Sequence, residues 1–174
     1  IINGSECNLI QNSLNGRLNI YKASNNISQN KIYSVKVESG NNNLIEYNDL
    51  TYLSLIGSDN IVVSKNNIGT DLISPVVYIL NSSYSVLVGN NVTSNLWNTN
   101  LGISGKSYNN TIYGNNFLSP AYTTLNSSDY FYNNKEFVIV DSASLSNYWE
   151  KGGKGNFWQN YHGSDANWDG IGDI

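Results

Sequence analysis

The stretch Asp165-Ala166-Asn167-Trp168-Asp169-Gly170-Ile171-Gly172-Asp173 puts oxygen-bearing side chains at alternate positions ahead of a glycine. Asp165, Asn167 and Asp169 fit the first, third and fifth positions of a calcium loop of the EF-hand or dockerin kind, and Gly170 supplies its sharp turn. Ile171 could offer its backbone carbonyl at the seventh position, and Asp173 stands at the ninth. A hard cation takes such oxygens, so calcium is the expected cofactor. The bidentate acid of a complete loop would fall beyond Ile174, which leaves a plain loop of Asx-turns as the competing reading.

Other chemistry is sparse. The thirteen acids are dispersed; Glu46 and Asp49, either side of Asn48, come nearest to a pair, with Glu38 next, and no arginine backs them. Acid–base cleavage of a glycan needs clustered carboxylates, so surface acids are the simpler reading and no catalytic residue is assigned. Copper would want His, Cys or Met. The chain has only His162 and Cys7, far apart, and no methionine. Cys7 excludes an internal disulfide and, beside Leu9 and Ile10, is expected to be a buried structural thiol. Six Asn-x-Ser/Thr sequons, at Asn3, Asn26, Asn81, Asn91, Asn109 and Asn126, are glycosylation candidates, though a chain with 32 asparagines makes several by chance.

The elements that must carry these groups are set by a repeat. Asn12, Asn30, Asn48, Asn66, Asn90 and Asn115 recur at spacings of 18, 18, 18, 24 and 25 residues. Three residues before them stand Leu9, Ile27, Ile45, Val63, Leu87 and Ile112, and two residues after them Leu14, Ile32, Leu50, Ile68, Val92 and Phe117. A second alternation follows in Leu18/Ile20, Val35/Val37, Leu53/Leu55, Val77/Ile79 and Leu101/Ile103. Period two means strands with one buried face. Units of about 18 residues are too short for a helical pair and fit one turn of a β-solenoid, with bulging loops at roughly 69–75 and 94–100 in the longer units. The anchor asparagines are expected at corners, where Asn tolerates a left-handed backbone and stacked amides can form a hydrogen-bonded ladder.

This gives an all-β fold with repeats over 1–117. Beyond Phe117 the period fades; 118–174 reads as a further strand in Lys135–Ala143, an aromatic-rich irregular segment covering the solenoid end, and the calcium loop. One domain of 174 residues with net charge −4, thirteen per cent charged residues and scattered lysines argues against nucleic acid. No transmembrane run or signal peptide is present, and an opening without methionine suggests a processed chain or a fragment.

The repeats followed by "GNFWQNYHGSDANWDGIGD" resemble the NosD-like right-handed parallel β-helix proteins, common among archaeal cell-surface and secreted proteins. Many end in a phrase of this type, and Gly155, Asn156, Trp158, Tyr161, Gly163, Asp165, Asn167, Asp169, Gly170, Ile171, Gly172 and Asp173 fit it, with Phe157 in place of the usual Tyr. The resemblance implies a right-handed helix, here of about six to seven coils, and an extracellular location. Its members include copper-site maturation factors, carbohydrate-active proteins and surface-layer or adhesive modules, and fold alone does not choose among them. The expected function is a non-catalytic structural or adhesive module of a cell-surface layer, sheath or filament, partnered by copies of itself or other surface proteins. A carbohydrate-binding or carbohydrate-active protein, lyase or glycosidase, is the alternative, and copper-site maturation a weaker one.

Overall fold

The computed structural model describes residues 1–70, 75–94, 100–118, 138–140 and 146–159. Within them every regular element is a strand, and every pairing between strands is parallel.

The strands form two sheets. Short strands β1 (Asn8–Ile10), β3 (Asn26–Ser28), β5 (Leu44–Glu46), β7 (Val62–Ser64), β10 (Val86–Val88) and β13 (Thr111–Tyr113) pair in that order. The second sheet starts from three long strands, β2 (Ser13–Ile20), β4 (Lys31–Glu38) and β6 (Asp49–Ile56). Beyond β6 it splits. Its first half continues through β8 (Asn67–Thr70), β11 (Asn91–Ser94), β14 (Asn116–Leu118) and β16 (Phe157–Trp158), and its second half through β9 (Val77–Leu80), β12 (Leu101–Ser104) and β15 (Val138–Val140). The split falls where the longer repeats carry their extra residues, between β8 and β9 and between β11 and β12. The arrangement is compatible with a β-solenoid, in which each repeat adds one strand to each face.

Register explains the sequence period. Ile27 pairs with Leu9 and Ile45, and Ile32 with Leu14 and Leu50, so like residues of successive repeats stack. All the inward columns meet in one cluster, from Leu18 and Ile20 through Val35, Leu53 and Ile79 to Ile103 and Phe117. Alternation from the buried Ile32 would send Ser34 inward and Val35 outward, but both are buried, so the alternation changes phase between the two halves of β4.

The corners differ from expectation in one respect. The asparagine anchors do not take the left-handed backbone; the residue before each does. Gln11, Gln29, Tyr47, Lys65, Gly89 and Gly114 have φ between +54° and +65°. Only the last two are glycines, so four corners hold a conformation that side chains disfavour by about 1–2 kcal/mol each. The anchor's work is done by its side chain. The Asn48 backbone N–H and Nδ2 both donate to Asn66 Oδ1, at 2.9 and 3.0 Å, while Asn66 Nδ2 reaches back to the Ile45 and Ser64 carbonyls at 2.9 and 3.0 Å. The same bonds run through Asn12, Asn30, Asn48, Asn66, Asn90 and Asn115 to a seventh rung, Asn156. The period therefore does not end at Phe117. Val138–Val140 extends the second half of the long sheet, as expected of Lys135–Ala143, and Tyr148 bridges to Thr111. Trp158 lies stacked on Phe117, centroids 4.4 Å apart, and Trp149 tilts against Trp158 at 6.3 Å.

Two further columns reinforce the stack. Asn25 and Asn43, and later Ser85, Asn110 and Asn147, form a second side-chain ladder, interrupted at Ile61. Ser58, Ser82 and Ser107 form a third, each hydroxyl accepting a backbone N–H from the repeat before it.

Candidate functional site

Outward-facing columns are the places where this architecture can present chemistry, since the inward columns are core. On the first half of the long sheet one column runs Ser13, Lys31, Asp49, Asn67, Asn91 and Asn116. Asn67 Nδ2 donates to Asp49 Oδ1 at 3.3 Å, and Asn116 Nδ2 to Asn91 Oδ1 at 2.7 Å. Beside it, Tyr33 and Thr51 lead to Gly69, which pairs with Thr93. A depression of about 220 Å³ opens here, bordered by Asn15, Lys31, Tyr33, Asp49, Thr51 and Gly69.

The acids named from sequence do not converge. Glu46 sits in β5 on the short sheet, Asp49 begins β6 past the corner, and Glu38 ends β4, its carboxylate 2.7 Å from the Lys36 ammonium. Asp59 and Glu150 serve the backbone, accepting from the Ser83 and Gly153 N–H groups. Among the described residues, no three of His, Cys, Asp and Glu come together. The expected calcium ligands Asp165, Asn167, Asp169, Ile171 and Asp173, and His162, lie outside the described residues.

Cys7 is half-buried rather than buried. It occupies the first position of the second ladder, its N–H donating to Asn25 Oδ1 at 3.0 Å, and so stands at the end of a stack with neighbours on one side. Of the sequons, Asn3, Asn81 and Asn91 are exposed. Asn26 and Asn109 are half-buried, and Asn26 Oδ1 is enclosed without a hydrogen-bond partner. Asn126 lies outside the described residues.

One contact was missed from sequence. Lys65 Nζ donates to the Tyr47 hydroxyl at 2.6 Å and lies 4.9 Å from that ring's centroid. The hydroxyl's hydrogen bond holds the lysine pKa above its usual value, with smaller help from the charges of Tyr47 and Glu46. The signal was the 18-residue spacing, which places both on one corner column.

The chain matches no protein-family model and no curated protein sequence. The resemblance to NosD-like proteins therefore stands on the residues that carry it.

Proposed function

We propose that this chain is a right-handed parallel β-helix of six to seven coils, and a non-catalytic structural or adhesive module of an extracellular layer, sheath or filament of the archaeal surface type. The carrying observation is the column of seven asparagines, Asn12 to Asn156, whose amides tie successive repeats together along the stack. Such a stack resists shear between repeats, because sliding one past the next breaks several buried hydrogen bonds at once. Its outer columns are polar and sparsely charged, which suits close lateral packing.

Self-association is the proposed partnership. Among the described residues, β1 ends its sheet, and β2 is bridged to Ile2 at Ile20 on the side away from β4. Strand edges of this kind offer backbone donors and acceptors to another chain. Asp165, Asn167, Asp169, Ile171 and Asp173 are proposed to bind calcium, and Asn3, Asn81 and Asn91, exposed as they are, head the glycosylation candidates. Among the described residues no helix is long and apolar enough to cross a membrane.

The test is electron microscopy of the purified chain and of native surface material, with and without a calcium chelator. Ordered filaments or sheets that lose order on chelation support both the assembly and the calcium reading. Dispersed monomers under both conditions overturn the assembly.

A further inference from the structure

The depression beside Tyr33 is a different matter from assembly. It lies on the first half of the long sheet, and three features shape it. At one end the register of β2 against β4 slips between Leu14 and Arg17, so that Asn15 and Gly16 together oppose Tyr33. This bulge interrupts the ladder beside Tyr33. At the other end Gly69 has no side chain, which leaves the trough open there, and a Cβ would sit a tight 3.2 Å from the Thr93 carbonyl oxygen. Between them stand Tyr33, 45% exposed, and the smaller Thr51, both on the border of the trough.

The rim is polar and locally neutral. Lys31 and Asp49 are register partners on adjacent strands, and Asn67 orients the Asp49 carboxylate. A ligand here meets an aromatic face, a cation, a carboxylate and a carboxamide, with no excess of either charge. That combination suits a neutral, hydroxyl-rich ring, whose C–H face lies on Tyr33 and whose hydroxyls both donate to Asp49 and accept from Lys31.

We propose that this trough binds one ring of a neutral saccharide chain lying along the stack. At about 220 Å³ it is smaller than the roughly 300–1,000 Å³ of a site that encloses a whole ligand, so single contacts are weak. Useful strength comes from many copies on one surface.

The full chain is titrated by NMR or calorimetry with xylohexaose, maltohexaose and chitohexaose, with a Gly-Ser repeat peptide as the non-sugar probe. At least one saccharide binds with a dissociation constant on the order of millimolar. Tyr33→Ala and Asp49→Ala each weaken it by roughly tenfold, and Thr51→Phe, which fills the trough and leaves Tyr33 in place, abolishes it. Tyr148→Ala, an exposed aromatic on the other sheet, leaves it unchanged. No saccharide binding at all, equal binding of the peptide, insensitivity to Thr51→Phe, or an equal loss in Tyr148→Ala overturns the proposal. Circular dichroism confirms folding of each variant. Assembly is read separately by microscopy, so either proposal can fail alone.

Discussion

Asparagine at a corner has two separable uses, and this chain divides them between neighbouring residues. The left-handed backbone falls to Gln11, Gln29, Tyr47 and Lys65, while the amide ladder falls to the asparagine that follows each. Two outcomes follow at this scale. Asn66→Ala removes the acceptor of the buried Asn48 N–H, one of the two acceptors of the Asn48 amide, and the side-chain donor to the Ile45 and Ser64 carbonyls. Urea unfolding is expected to show a loss of about 3 kcal/mol, against at most about 1 kcal/mol for Asn12→Ala, whose rung is open to water. Gln29→Gly releases a left-handed side chain at the cost of one exposed bond to Gln11, and is expected to raise stability by about 0.5–1 kcal/mol in the same assay. The anchors were legible as a period. Their neighbours were not, because Gln, Tyr and Lys carry no local mark of a positive φ that the stacked corners impose on them.

At the scale of elements, the twelve apolar positions around the six anchors were readable because parallel in-register stacking puts equivalent residues in one column. The place of the extra residues in the longer repeats was readable for the same reason, since the registers on both sides of 71–74 and 95–99, which lie outside the described residues, are intact. The seventh rung was obscured by the spacing of 41 from Asn115 to Asn156. A local sign was present: Gly-Asn-x followed by a large apolar residue occurs at Gly89–Val92, Gly114–Phe117 and Gly155–Trp158. Trp158 is the aromatic step of that last rung, and Trp158→Ala uncovers Phe117. Hydrogen exchange is expected to accelerate in β14 and β13 while β4 and β6 keep their protection, because each repeat is held mainly by its neighbours. Uniform acceleration across the sheets would mean instead that the stack opens as one unit.

At the scale of the molecule, the core among the described residues is aliphatic with one aromatic, Phe117, and the buried polar groups there are uncharged Asn and Ser. Among these residues the groups that respond to pH lie at the surface. Lys65 has a folded pKa raised by Tyr47, so the stability it adds is fully present below the unfolded value of about 10.4 and is lost as pH rises through the folded value. Compared across pH, Tyr47→Phe is expected to unfold slightly more easily than the parent chain at neutral pH, with the gap closing in strongly alkaline solution. A gap that widens there would reverse the sign of the linkage. The candidate trough also belongs to this scale. Tyr33, Thr51 and Gly69 are spaced by 18 residues and were visible as letters, but they border one trough only once β4, β6 and β8 lie side by side.

By itself the sequence determined the strand content, the repeat length, the buried columns and the corner ladder. Each of these follows from periodicity, and periodicity is a property of the chain alone. Tertiary structure decided which corner residues take the left-handed backbone, that Asn156 continues the ladder across a long insertion, that Glu38, Glu46 and Asp49 stay apart, and that Tyr33 overlooks a trough. Those are relations set by the register of one repeat on the next, and no single repeat contains them.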